Sequence, residues 1–268
     1  MIDIRVLHDP QDLEVAVDTE LAVWGMEMRF AVPSNLMHAI SMGGGVVLGA
    51  YDGERMVGMS LALPARREDR WRLWSHMTGV IPGYQGQRIG FRLKQTQRSW
   101  ALDNGYEEMG WTFDPLQRGN ANFNMNRLGT TANRFHVNLY GAMTDSINQG
   151  MDSDRLEAAW ELRDARVAAL AAGETPPPLA PTCPDGAFLV RSDNTGDLIA
   201  NPSASGACLF VEIPYHLEQV KQESIETARR WQLAVRDALQ SAFGRGYQIV
   251  DFVSQPPRCW YVLGQRTG

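Results

Sequence analysis

Cysteine is scarce in this 268-residue chain, with three residues in all: Cys183, Cys208 and Cys259. They are odd in number and far apart, and no two stand at a metal-binding spacing. A disulfide framework and a cysteine metal site are therefore excluded, and a reducing cytoplasm fits best. No apolar run approaches the length of a membrane span, and the N-terminus enters a strand-like segment directly, so neither a membrane segment nor a signal peptide is expected. An excess of positive charge is also missing. The net charge of −6 argues against a general nucleic-acid binder and leans toward a cationic or neutral substrate. No internal repeat is evident. His136 and His216 stand alone without ligand spacing, so no metal is expected. What remains is ordinary for a globular protein: 44% hydrophobic and 21% charged residues, in a chain long enough for one large or two modest domains.

Taken in order, residues 2–7 alternate as a strand, and Asp9-Pro10 opens a helix with an acid at the N-cap and proline in the first turn. Leu13, Ala16, Val17, Leu21 and Trp24 form its apolar stripe. A shorter helix begins near Ser34-Asn35 and ends at the glycines 43–45. Strands over 46–51 and 56–63 are joined at Asp52-Gly53, a strong hairpin signal. The charged run 65–70 reads as a solvated turn before a third strand, 71–80. A strand over 106–113 ends at Asp114-Pro115. A short helix from about 119 to 128 is closed by Gly129, and strands follow over 133–140 and 156–162. From residue 171 the composition shifts to a proline-dense stretch, 173–184, which reads as a linker or surface loop. Beyond it come strands at 187–191 and 208–213, a long helix over 217–243 with Ala228, Trp231, Val235, Ala238 and Ala242 on one face, and a hairpin of 247–253 with 259–263.

The most informative stretch is Ser75-His-Met-Thr-Gly-Val-Ile-Pro-Gly-Tyr-Gln-Gly-Gln-Arg-Ile-Gly90. A strand runs into a glycine-punctuated loop and then an amphipathic helix to about Asn104, with Ile89, Leu93, Thr96, Gln97 and Trp100 on one face and Gly105 at the C-cap. Backbone amides at such a helix N-terminus lack intrahelical partners and sit at the positive end of the helix dipole, which suits phosphate or pyrophosphate. A P-loop is not the explanation, because no Lys-Ser/Thr pair follows the glycines, and a GxGxxG pattern is missing too. Tyr84-Gln-Gly-Gln-Arg-Ile-Gly90 resembles the signature of the GNAT superfamily of N-acetyltransferases, Gln/Arg-x-x-Gly-x-Gly/Ala. It matches at Gln85 and Gly90 and departs at Arg88, where the inner glycine is expected. Arginine still offers its backbone N–H there, and its guanidinium can pair with a phosphate, but it adopts positive φ only at a cost. The element order over residues 1 to about 165 is similar to the family's as well.

The resemblance implies an α/β fold with a mixed, splayed central sheet and a GNAT-like domain over 1–165, to which composition and pattern add a proline-rich linker over 166–186 and a smaller C-terminal strand, helix and hairpin unit over 187–268. It implies acetyl-CoA, or another acyl-CoA, as co-substrate, with an acyl group passing to an amine in a ternary complex. Gln85, Gly86, Gln87, Arg88, Ile89 and Gly90 would hold the pyrophosphate, and the backbone of Thr78, Gly79 and Val80 would pair with the pantetheine. His76 is the general-base candidate, two residues from Thr78 and on its face if the strand is regular; the other reading is a histidine lining the sheet. Asp114 could anchor a cationic amine or act as base, or simply form an Asx turn before Pro115. Asn120 or Asn122 would touch the pantetheine. Met125 stands where the family's thiolate-protonating tyrosine is expected, leaving Tyr140, from the following strand, or water for that role. The acceptor would be a small-molecule or peptide amine, with no nucleic acid and no membrane as partners. The C-terminal unit could wall the acceptor cleft or form a homodimer interface. The competing function is a non-catalytic acyl-CoA-binding module on the same fold.

Overall fold

A computed structural model describes residues 1–141, 150–177, 187–193 and 195–266. Most of the proline-dense stretch, with Cys183, lies outside the described residues. Internal contacts divide the chain into one unit of residues 1–111 with 161–164, and another of residues 112–160 with 165–268.

In the first unit, β1 (Ile2–Val6) pairs antiparallel with β2 (Val46–Asp52), β2 with β3 (Arg55–Arg67) and β3 with β4 (Arg70–Val80), while β5 (Glu108–Phe113) lies parallel to β4. Helix α1 (Pro10–Trp24) starts as its sequence predicts: the Asp9 carboxylate accepts from Gln11 N at 2.8 Å, and Gly25 closes the helix at φ +62°. Leu13, Ala16 and Val17 of α1 join Met37 of α2 (Ser34–Met42) and Val47, Met59 and Leu61 of the sheet in one buried cluster. The charged run 65–70 is not a turn. β3 and β4 continue through it, pairing Ala65 with Arg72 and Arg67 with Arg70, and only residues 68–69 reverse the chain. Arginines stand on this ribbon because their charges are answered locally: Arg66 meets Asp69 at 3.0 Å, and Arg67 and Arg72 both reach Glu108, at 3.4 and 3.0 Å. Helix α3 (Ile89–Asp103) buries Ile89, Leu93, Lys94, Gln97 and Ala101.

In the second unit, α4 (Arg118–Asn122) runs into a π-helical turn, Phe123–Leu128, closed by Gly129 at φ +76°. β6 (Thr131–His136) pairs antiparallel with β7 (Arg155–Glu161), and a short helix α5 (Ala165–Ala171) follows. β6 also pairs with β11 (Tyr247–Gln255). From there the sheet continues through β12 (Arg258–Gln265), β10 (Cys208–Ile213), β8 (Phe188–Ser192) and β9 (Leu198–Ala200). The C-terminal strands therefore extend the sheet of β6 and β7. The long helix expected over 217–243 is two: α6 (Leu217–Glu223) and α7 (Ile225–Gly244). Ser224 divides them, extended at φ −161°, with its hydroxyl accepting from Thr227 N at 3.1 Å as the N-cap of α7. No helix among the described residues is long and apolar enough to cross a membrane.

Candidate functional site

The C-terminal half of β4 is shaped by one irregularity. Leu61 of β3 pairs with Met77, but the next residue, Ala62, pairs with Ser75, so His76 is the extra residue of a β-bulge. A bulge bends its strand and raises the local twist. Pairing between β4 and β5 is confined to Leu73 with Met109 and Trp74 with Gly110, two residues before the bulge. Beyond it, the β5-side edge of residues 76–80 carries no strand partner among the described residues, while the other edge stays paired with β3 as far as Gly58 and Val80.

The bulge also alters which side chains share a face. Ser75 donates to Gln97 Oε1 at 2.8 Å, Thr78 Oγ1 lies 2.8 Å from Ser60 Oγ, and Gln97 Nε2 donates to Ser60 Oγ at 2.7 Å. Ser75 and Thr78, three residues apart, thus both face α3, while Met77 packs into the cluster with α1 and α2. The regular strand assumed in relating His76 to Thr78 does not exist here. His76 keeps an exposed face, but atoms crowding its other side desolvate the imidazolium and lower its pKa below the ordinary 6.5. Gly79 is required by close packing: a Cβ there would lie 2.4 Å from Val23 Cγ1 and 2.8 Å from the Trp24 ring.

The loop into α3 has three left-handed residues, Gly83 at φ +89°, Gly86 at φ +80° and Arg88 at φ +62°. Arg88 is the N-cap of α3 and adopts the glycine-like conformation despite its side chain, at a cost of about 1 kcal/mol. The Gln85 amide donates to Val80 O at 3.1 Å and the Gln87 amide to Gly83 O at 3.4 Å, which ties the loop back to the strand end. The backbone N–H groups of residues 85–91 donate to no acceptor among the described residues, and no side chain caps the helix. Residues 85–88 are exposed, whereas Ile89 is buried and anchors the helix start. A Cβ on Gly86 would meet nothing within 4 Å, and one on Gly90 only Val80 Cγ2 at 4.0 Å, so neither glycine is required there by crowding.

In the second unit, Asp114 forms the Asx turn: its Oδ1 accepts from Leu116 N at 2.8 Å. Burial raises its pKa, opposed by that hydrogen bond and by Arg155. Tyr140 is not on a strand. It lies in the turn after β6, 54% exposed, with its hydroxyl 3.1 Å from Thr112 Oγ1 and its N–H donating to Ser153 Oγ at 2.9 Å. Asn120 is exposed on α4, while Asn122 Oδ1 accepts from Asn126 Nδ2 at 2.9 Å. Asn126 also donates to Phe252 O of β11 at 2.7 Å, and Asn124 is buried, so these asparagines fasten the helix from within. Met125 is fully buried, its sulfur 3.8 Å from Thr130 Oγ1. The sequence reading missed the buried polar chain of Ser60, Ser75, Gln97 and Lys94; its only signal was Lys94 and Gln97, three residues apart, on the apolar side of α3.

Residues 13–129 match the model of the acetyltransferase (GNAT) family. Among solved structures, the ribosomal-protein-S18-alanine N-acetyltransferase of Escherichia coli is similar over 62% of this chain and 96% of its own, at 15% identity and TM-score 0.49. An N-acetyltransferase of Staphylococcus aureus Mu50 is similar over 61% and 99%, at 18% identity and TM-score 0.46. A GNAT family acetyltransferase of Elizabethkingia anophelis with acetyl-CoA bound is similar over 60% and 97%, at 16% identity and TM-score 0.42. No curated protein matches the sequence significantly.

Proposed function

We propose that this protein, whose residues 13–129 match the model of the acetyltransferase (GNAT) family, moves an acetyl or other acyl group from acyl-CoA to an amine by direct attack in a ternary complex. The observation that carries this reading is the run of unpartnered amides at residues 85–91, entering α3 directly after a strand edge that β5 has left. Gln85, Gly86, Gln87, Arg88, Ile89 and Gly90 would hold the pyrophosphate through backbone N–H groups at the positive end of a fifteen-residue helix. The free edge at Thr78, Gly79 and Val80 would take the amides of the pantetheine arm as an added strand does.

Transfer begins with a neutral amine. His76, with its pKa held below 6.5, is unprotonated at neutral pH and accepts a proton from the acceptor's ammonium, directly or through water; general-base assistance of this kind contributes ~10²–10⁴-fold. The freed nitrogen attacks the thioester carbonyl, forming the C–N bond, and collapse of the tetrahedral adduct breaks the C–S bond. The departing thiolate takes a proton from water. Asp114 is given its turn and no chemical role. The acceptor class is a small-molecule or peptide amine.

The test is thiol release from acetyl-CoA across a panel of polyamines, amino acids, peptides and aminoglycosides. Release that needs both substrates, with intersecting double-reciprocal lines, supports direct attack. Parallel lines would refute the ternary complex. Binding without release for every amine would refute catalysis and leave a binding module.

A further inference from the structure

The chain contains only two lysines, Lys94 and Lys221, and one of them is inside the first unit. Lys94 on α3 is 4% exposed, and nothing proposed above uses it. Its ammonium donates to Ser75 Oγ at 2.7 Å and lies 3.6 Å from the ring centroid of Trp111. The last pair joining β4 to β5 is Trp74 with Gly110. Lys94 therefore touches the next residue on each strand, Ser75 on β4 and Trp111 on β5, at the point where the two diverge. Burying an amine is costly unless its surroundings answer it. Here the answer is one hydroxyl and one aromatic face, and burial lowers the lysine pKa to about 7.

In its protonated form Lys94 can only donate, and that form sets the direction of every bond that follows. Ser75 Oγ accepts from Lys94 and must send its own proton to Gln97 Oε1. That orients the Gln97 amide with Nε2 toward Ser60, at 2.7 Å. Ser60 Oγ accepts in turn, and its proton is left for Met77 O at 3.2 Å or Thr78 Oγ1 at 2.8 Å. All four side chains from Ser60 to Gln97 and Lys94 are buried. The chain thus starts at the fork and ends on the two residues that follow the bulge at His76.

We propose that Lys94 is a positioning residue that pins the fork between β4 and β5 and, through Ser75, Gln97 and Ser60, fixes the bulge at His76 and the free strand edge beyond it. Its effect on the fork is independent of what the protein binds; its effect on turnover rests on the acyl-transfer reading.

The test is amide hydrogen exchange of the ligand-free protein at pH 7 together with steady-state kinetics, comparing wild type with Lys94→Met and Lys94→Gln. Peptides covering residues 72–80 and 108–113 are expected to exchange at least fivefold faster in both variants, with β2 unchanged. The kcat is expected to fall at least tenfold and acetyl-CoA affinity to weaken at least threefold, because the edge at residues 78–80 loosens with the fork, while β2 keeps its wild-type exchange, a localised response that general destabilisation would not give. If Lys94 cannot be replaced without loss of folding, Ser75→Ala is expected to speed exchange in 72–80 and Trp111→Phe in 108–113. Unchanged exchange in folded variants, or exchange rising equally in β2, would overturn the proposal. If the wild type turns over no acyl-CoA, the functional reading fails, and exchange alone decides the role of Lys94.

Discussion

Replacing Lys94 by methionine removes the one buried amine of the first unit, and burial predicts how stability must respond to pH. The folded pKa is lowered from 10.5 to about 7, with desolvation as the cause. Between those values the unfolded chain holds a proton that the folded chain has released. Stability therefore rises with pH across this window, by about 1.4 kcal/mol per pH unit, and this contribution is lost as pH falls through 7. Over the full span the difference of 10.5 and about 7 corresponds to about 5 kcal/mol, a large fraction of the ~5–15 kcal/mol by which a domain is stable. In Lys94→Met this slope is absent, while every other titrating group remains and cancels in the comparison. Urea unfolding of both proteins at pH 7.5, 8.5 and 9.5 measures it. The wild type should gain about 3 kcal/mol on the variant from the first pH to the last. A constant difference would mean that Lys94 keeps an ordinary pKa when folded, and the buried, charge-poor setting described for it would be wrong. With only two lysines in the chain, carbon-13 labelling of lysine checks the same pKa directly as one of two resonances.

Three further outcomes follow from the same geometry. The imidazole of His76 must be neutral to accept a proton, and its pKa is lowered, so kcat/KM should fall with decreasing pH only below 6.5; His76→Ala should cut kcat by ~10²-fold and abolish that limb, and an acid limb that survives the substitution would refute the assignment. Gly90→Val should leave the melting temperature nearly unchanged, since a Cβ there meets only Val80 Cγ2 at 4.0 Å, yet weaken acetyl-CoA binding by crowding the amides, as calorimetry would show. Gly79→Ala places a methyl group 2.4 Å from Val23 Cγ1 and should cost about 1–3 kcal/mol in chemical unfolding, with partial recovery in Gly79→Ala/Val23→Ala.

Local signals were legible where one residue type decides the backbone. Asp9 and Pro10 start α1, Asp52-Gly53 turns β2 into β3, and Gly129 stops the π-helical turn, as their chemistry predicts. The loop before α3 was legible for the same reason, although Arg88 takes a left-handed conformation that sequence alone does not promise. Features decided by partners distant in sequence were not. The ribbon through residues 65–70 survives because Glu108, some forty residues on, answers Arg67 and Arg72. The bulge at His76 is a mismatch of register between two strands and leaves no mark in either. Tyr140 sits off the strand because Asn138 and Tyr140 turn onto Asp154 and Ser153. Ser224 divides α6 from α7 by capping, a role that competes with helix continuation and whose outcome the apolar stripe of α7 conceals. Lys94 carries no sequence mark of burial, because a lysine on a helix is ordinarily solvated, and only the packing of Trp111 and Ser75 shows that this one is not.

The central claim is that the amides of residues 85–91 and the free edge of β4 hold an acyl-CoA. Titration calorimetry of the purified protein with acetyl-CoA tests it most directly, with ADP and ATP as controls. Saturable binding of acetyl-CoA, weakened in Gly90→Val and not matched by either nucleotide, is the result predicted. No heat and no binding at millimolar acetyl-CoA, or equal binding of ADP and acetyl-CoA, would contradict it.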